Sequence, residues 1–398
     1  MKKFISTFSF WKTAAVIFIA VGIYSTYMRF FHGLGAATNL NDKFPWGIWI
    51  GFDILCGVGL AAGGFTMAAI VHVFNIKRFE PIIRPTILTA FLGYLLVIVG
   101  LMYDLGRPWQ IWHAIIMWNP HSVMFEVAWC VMLYTTVLAL EFSPVVLEKF
   151  KMVKTMRVIK KISIPLIIAG VLLSTLHQSS LGSMYLIVPE KLNPLWYSSY
   201  LPVFFFVSAV TAGCAMVIFE SFLSSRAFNR GLEMNLISEV ARVCVMMLGV
   251  LAMMKFVDLM DRKAISLLFV PRPETYMYWL EVIVGIIVPF ILFSREKMRR
   301  SRNGLFIGAS MVVIGFVMNR MNIAITGMEQ WSGTFYFPSF TEFSITVMIV
   351  TIGFTAFYYI AKYFPVFTHE HHEEEKPVLN AGLSWKKDIE KVSQAMYN

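Results

Sequence analysis

Ten stretches of this chain are apolar throughout and long enough to cross a ~30 Å hydrocarbon layer as helices of about 20 residues. They fall at residues 12–31, 47–76, 85–105, 121–146, 162–180, 200–223, 236–258, 275–294, 303–321 and 340–363. The first follows Met1-Lys2-Lys3 and has the flavour of a secretion signal. Its apolar core is full length, ends in Tyr27-Met28-Arg29 and lacks a small-x-small cleavage site, so it is kept as a helix. The predicted fold is an all-α integral membrane protein with ten transmembrane helices in two helical bundles. Residues 1–366 make the membrane domain, and 367–398 form a cytoplasmic tail expected to be disordered.

Composition agrees with that pattern. With 58% hydrophobic and 15% charged residues, and a mean hydropathy of +0.66, the chain cannot build a water-soluble surface and must be solvated by lipid. Charge then sets a direction. The amino end and the loops after even-numbered spans hold 19 Lys and Arg, against 7 after odd-numbered spans, with Arg320 counted among the latter. Basic residues concentrate on the cytoplasmic side, so both termini are expected there. The net charge of +10 is largely this asymmetry and offers no support for nucleic-acid binding. Cys56, Cys130, Cys214 and Cys244 all lie in spans without Cys-x-x-Cys spacing, which excludes a disulfide framework and an iron–sulfur cluster of the chain's own. The run His369-Glu370-His371-His372 reads as a solvated charge run. Gly57, Gly59, Gly63 and Gly64 in the second span read as close helix packing.

The candidate chemistry lies in acids and histidines inside the spans. A charge at the bilayer centre costs roughly 3 kcal/mol on insertion scales, so such residues usually face a bundle interior and handle ions or protons. On the expected orientation they sort into two layers. Asp53, Asp104, Arg107, Glu126, His177 and Gln178 lie toward the non-cytoplasmic face, and His72, Glu141, Glu220, Glu239 and Arg242 toward the cytoplasm. Tyr94 lies between them. Glu126 and Glu141 share one helix and stand about 22 Å apart along its axis.

Two titratable layers joined by a mid-membrane Tyr suit a proton route. The outer layer, with carboxylates, His and Arg beside aromatic residues, suits a quinone, whose carbonyls need hydrogen-bond donors and a proton partner. Any single acid near a span end also fits simple snorkelling. Asp104 with Arg107, Glu239 with Arg242 and Lys255 with Asp258 also fit purely structural pairs. Recurrence on four consecutive helices favours function. A b-type haem needs two His at one depth, and His72 and His177 lie at opposite ends, so no haem is expected.

Several strings then carry a family resemblance. They are Phe44-Pro45-Trp46-Gly47-Ile48-Trp49-Ile50-Gly51-Phe52-Asp53, Tyr103-Asp104-Leu105-Gly106-Arg107, Met124-Phe125-Glu126, Leu140-Glu141-Phe142-Ser143-Pro144, His177-Gln178-Ser179-Ser180-Leu181-Gly182-Ser183 and Ile218-Phe219-Glu220. Together they resemble the NrfD/polysulfide-reductase family of membrane subunits, in particular its ten-helix branch in hydrogenase-2-type periplasmic uptake hydrogenases. The resemblance spans all ten helices and stops before the tail. It implies a multi-pass subunit of a bacterial inner membrane, reactive with menaquinone or ubiquinone and without metal centres of its own. The implied partners are a periplasmic four-cluster ferredoxin-like iron–sulfur subunit and a catalytic subunit, that of a [NiFe] hydrogenase.

Carried over position by position, the resemblance puts Asp53, Asp104 and His177 at a quinone held in the bundle of helices 2 to 5. It puts Tyr94, Glu126, Glu141 and Glu220 at proton-handling positions. Arg107 is expected to polarise the quinone site. Pro108, directly after Asp-Leu-Gly-Arg, departs from the pattern, and the outer loops do not identify the partner. The expected function is quinone oxidoreduction coupled to proton movement, as one subunit of a larger enzyme such as a hydrogen:quinone oxidoreductase. The alternatives are a secondary transporter and a passive anchor for a periplasmic redox enzyme. A transporter usually shows broken helices and paired repeats, and no match relates helices 1–5 to 6–10.

Overall fold

A computed structural model describes residues 2–367, with side chains from Phe10 onward. The tail expected over 367–398 lies almost wholly outside the described residues. Met1–Val366 forms one unit. Among the described residues ten helices are long and apolar enough to cross a membrane: α1 (Phe10–Phe31), α2 (Trp49–Val73), α3 (Lys77–Asp104), α4 (Val123–Lys149), α5 (Val153–Ile187), α6 (Leu201–Phe228), α7 (Met234–Asp261), α8 (Pro273–Ser294), α9 (Arg302–Ser332) and α10 (Phe340–Tyr363). No β-strand forms among the described residues. The protein is an all-α membrane protein. In hydrocarbon a helix satisfies every backbone donor and acceptor within its own segment, which is why apolar runs of this length adopt it.

Helices α2 to α5 pack as one bundle and α6 to α9 as a second, joined along α5, α6 and α2. Helices α1 and α10 pack on each other and lean on α3. The most buried helix is α2, which stands between the bundles. Its glycines explain the position. A Cβ on Gly213 of α6 would lie 2.7 Å from the Gly63 nitrogen and 2.8 Å from the Ala62 carbonyl carbon, so the two backbones touch. Small residues allow such approaches where lipid offers no hydrophobic drive. The second bundle repeats the device. A Cβ on Gly315 of α9 would sit 2.0 Å from Gly285 Cα on α8. Gly315→Val is therefore expected to separate these helices and sharply lower the yield of folded, detergent-stable protein; wild-type yield and Tm would disprove the contact.

Several helices are interrupted by wide π turns: Trp49–Cys56 and Ala69–Val73 in α2, Ile283–Ile287 in α8 and Asn322–Thr326 in α9. Such turns rotate the following side chains and recur beside functional positions. Asp53 lies within the first of them.

Three pairings expected from local spacing give way to other partners, on another helix for Lys255, Glu239 and Asp104 and one turn on for Asp258. Lys255 Nζ bonds Glu281 Oε1 of α8 at 2.7 Å, and Asp258 accepts from Arg262 at 2.6 Å, so Lys255 and Asp258 do not pair. Glu239 pairs with Arg78 at 2.8 Å instead of Arg242. Asp104 lies within electrostatic reach of Arg29 on α1, and among the described residues Arg107 makes no ion pair. Arg29 also donates to the Tyr103 and Leu105 carbonyls, both at 2.6 Å, and so caps the end of α3. The physical reason is shared. A buried charge seeks the partner that its packed face presents, and sequence spacing constrains only neighbours on one helix.

Candidate functional site

Helix α3 divides the candidate residues into two sets. At 100° per residue, Thr89, Gly93, Leu96 and Gly100 share one face, and Tyr94 points well away from it. The first face borders a cavity of about 420 Å³ that is also walled by α2, α6, α9 and α10. Phe52, Leu60, Phe219 and Val317 make its surface apolar, and two carboxylates, Asp53 and Glu220, interrupt it. Phe354 and Tyr358 of α10 line it while staying 56% and 38% exposed, so the cavity reaches the lipid-facing surface beside α10.

Each carboxylate is held by a hydroxyl. Thr346 Oγ1 donates to Asp53 Oδ2 at 2.8 Å, and Thr89 Oγ1 donates to Glu220 Oε2 at 2.7 Å. Gly100 makes room for Asp53: a Cβ there would lie 2.8 Å from the Asp53 Cβ. Asp53 enters α2 near the end carrying the α1–α2 loop, here termed the outer end, and Glu220 lies late in α6 near the opposite end. One cavity thus touches an acid of each layer.

The second face of α3 meets α4 and α5. Tyr94 Oη and His177 Nδ1 share a hydrogen bond of 2.9 Å, and both residues are fully buried. Tyr134 packs edge-on against Tyr94 with ring centroids 4.7 Å apart. Glu141 reaches the same wall, with its Oε1 within 3.3 Å of where a Gly170 Cβ would stand. Gln178 Nε2 donates to the Val58 carbonyl of α2 at 3.2 Å and ties α5 to the central helix. Two buried polar atoms here have no partner: His177 Nε2 and Gln178 Oε1. Whichever tautomer His177 takes, one ring nitrogen is left unpaired, which costs about 1–3 kcal/mol unless water or a ligand supplies a partner.

The structure therefore brings Asp53 together with Glu220 and Tyr94 together with His177 and Glu141, with α3 between the two sets. Asp104 is half-buried at the outer end, and Arg107 and Glu126 are exposed there. None of these three touches His177 or Asp53 through a hydrogen bond.

Other residues of these surroundings escaped sequence reasoning. Thr346 and Thr89 are ordinary helix threonines until packing aims them at a carboxylate. Glu342 is an acid early in the last apolar span, and its sequence position alone does not show its role. It is fully buried at the start of α10, where Tyr336 Oη donates to it at 2.5 Å and the Asn39 and Ser339 amides at 3.0 and 2.8 Å. Burial, and then the Glu342 carboxylate, push the Tyr336 phenol well above its usual range, so it stays a neutral donor. Glu342 is a structural clasp between α10 and the segment before α2.

A family model described as "Polysulphide reductase, NrfD" matches residues 36–331, from the segment before α2 to the end of α9. The chain belongs to the NrfD family. Relatives of similar length extend the match. A Nitratidesulfovibrio vulgaris (Hildenborough) protein is 41% identical over 369 residues, 89% of this chain and 93% of its own length. The probable Ni/Fe-hydrogenase 2 b-type cytochrome subunit of Escherichia coli K12 is 32% identical over 359 residues, 87% of this chain and 91% of its own. The menaquinone reductase integral membrane subunit of N. vulgaris is 28% identical over 397 residues, 92% and 93%. This NrfD member is thus matched over 87–92% of its length by relatives of similar size. Both faces of α3 fall within the residues that the family model covers, whereas Thr346 and the rest of α10 lie beyond it.

Proposed function

We propose that this chain is the quinone-reactive membrane subunit of a bacterial redox complex. Electrons would pass between the quinone pool and an iron–sulfur partner bound at the outer end. The observation that carries the reading is the apolar cavity of about 420 Å³ with Asp53 and Glu220 in its wall. Ligand sites of about 300–1,000 Å³ are mostly apolar, with a few placed polar groups, and a quinone needs both. The named relatives favour the class: one is a menaquinone reductase subunit, and another belongs to a Ni/Fe-hydrogenase. The proposed partners are a periplasmic four-cluster ferredoxin-like protein and a [NiFe] hydrogenase catalytic subunit, held at this chain, which would lie in the bacterial inner membrane with both termini in the cytoplasm.

A bound menaquinone or ubiquinone supplies the two-electron, two-proton redox couple. The chain's residues supply position and protons. Asp53, steadied by Thr346, is the proposed proton partner at the head end of the cavity. Glu220, steadied by Thr89, is the proposed proton entry from the opposite end. His177, Tyr94 and Glu141 form the second proposed proton string behind α3, where the unpartnered His177 Nε2 fits a water or a ligand carbonyl. Asp104 and Arg107 are proposed to face the incoming electrons at the outer end, and the exposed Glu126 to exchange protons with the medium there.

Photoaffinity labelling of the membrane-embedded complex with an azidoquinone tests the site. Saturable label is expected on peptides of α2, α6 and α10 that line the cavity. Label confined to α4 and α5 around His177 would move the head group to the other face of α3. Absence of saturable label would favour the anchor reading, and solute uptake by vesicles without quinone would favour a transporter.

A further inference from the structure

Away from both faces of α3, the second bundle holds its own buried charges. Glu281 is 2% exposed and is saturated by four donors: Lys255 Nζ at 2.7 Å and Asn319 Nδ2 at 2.8 Å on Oε1, and Trp196 Nε1 at 2.9 Å and Asn322 Nδ2 at 3.0 Å on Oε2. One helical step on, Arg320 is 1% exposed. Its guanidinium lies over the Phe205 ring at 3.6 Å and the Phe316 ring at 4.5 Å. Its Nη1 donates to Asn319 Oδ1 at 2.8 Å, and its Nη2 to Ser208 Oγ at 2.8 Å and to the Phe205 carbonyl at 3.2 Å. Its Nε has no partner. Among the described residues Arg320 forms no ion pair.

The charges do not balance. Asp258 is matched by Arg262 through two hydrogen bonds, at 2.6 and 3.0 Å. Lys255 and Arg320 then share the one carboxylate of Glu281, Arg320 only through Asn319. One positive charge is left over where the dielectric is low, and an unmatched buried charge costs several kcal/mol. All five charged side chains line a cavity of about 50 Å³. That space exceeds a single water and falls far below the ~300 Å³ at which pockets for larger organic ligands begin. Two sets of donor hydrogens remain for an occupant: Arg320 Nε–H, and those that Lys255 does not give to Glu281.

We propose that this cavity binds one small monovalent inorganic anion, of chloride size, between Arg320 and Lys255. The anion completes the charge balance and fills the donor positions that the protein leaves open. Its site shares α6 and α9 with the cavity beside α3 but none of that cavity's lining residues, so the proposal stands independently of the quinone reading. It assigns α6 to α9 a site whose occupancy holds four helices together.

The test uses the full-length chain in lipid nanodiscs. Thermal unfolding is measured in sodium chloride and in sodium gluconate at equal ionic strength, since gluconate is too large for the cavity. A saturable rise in Tm of a few degrees with chloride is expected, because a ligand that binds only the folded state stabilises it by mass action. Bromide-soaked crystals are expected to show an anomalous peak beside Arg320 Nε. Arg320→Gln is expected to lose both signals; if that variant does not fold, the bromide position in the wild type decides. Equal Tm in the two salts, or bromide-soaked crystals with no peak in this cavity, would mean that water alone fills it and would overturn the proposal.

Discussion

Asp53→Asn is expected to lower quinone turnover of the assembled complex by about 10²-fold or more, the usual contribution of a positioned proton donor or acceptor, while insertion and partner binding persist. The substitution isolates the proton. Asn has the same size and keeps an oxygen to accept from Thr346 Oγ1, which now stands 2.8 Å from Asp53 Oδ2. Size matters here, because the Asp53 Cβ already fills the space that a Cβ on Gly100 would need. The amide cannot exchange a proton, so a loss confined to turnover assigns the carboxylate its role. Thr346→Val supplies the graded control: it removes the hydroxyl that orients Asp53 but leaves the acid, and a smaller loss is expected. Stopped-flow quinone reduction with the intact complex reads both variants. Wild-type turnover by Asp53→Asn would remove Asp53 from the mechanism and shift attention to His177 and its unpartnered Nε2.

Glu281→Gln is expected to destabilise the chain by about 3–5 kcal/mol, the scale for removing one partner of a buried ion pair. Lys255 and Arg320 depend on the Glu281 carboxylate, and Gln keeps the shape without the charge. A double variant, Glu281→Gln with Lys255→Met, is expected to recover part of that loss, because it removes a cation along with its acid. Unfolding of the wild type, both single variants and the double variant in nanodiscs gives the coupling directly. If the double variant is no better than the single one, then hydrogen bonding to Trp196, Asn319 and Asn322, and not charge, holds the cluster. A single variant as stable as wild type would mean that water reaches the cluster and screens it.

These two sites divide along what was legible beforehand. Asp53 and Glu220 stood out as acids within apolar runs, and the ten spans of the structure differ from the expected ones mostly at their ends. Strings such as Phe-Pro-Trp-Gly and His-Gln-Ser-Ser sufficed for the family. Arg320 was passed over: it was counted with a loop, because the apolar run around it was ended one residue beyond it. The apolar sequence continuing to Gly327 was the available signal, since an arginine within a span is costly and needs a partner.

The chain's hydrophobic pattern determined by itself that there are ten spanning helices, because each must satisfy its own backbone bonds in lipid and needs about 20 apolar residues to do so. Its polar exceptions marked which helices carry chemistry. Which exceptions meet was decided only by the tertiary structure. Helices apolar all round carry no amphipathic stripe to show which face turns inward, so nothing local could reveal that α3 separates Tyr94 and His177 from Asp53 and Glu220. The π turns in α2, α8 and α9 shift side-chain direction again. The pairing of Lys255 with Glu281, 26 residues away, follows from the packing of α7 against α8, which acts between segments that no local spacing relates.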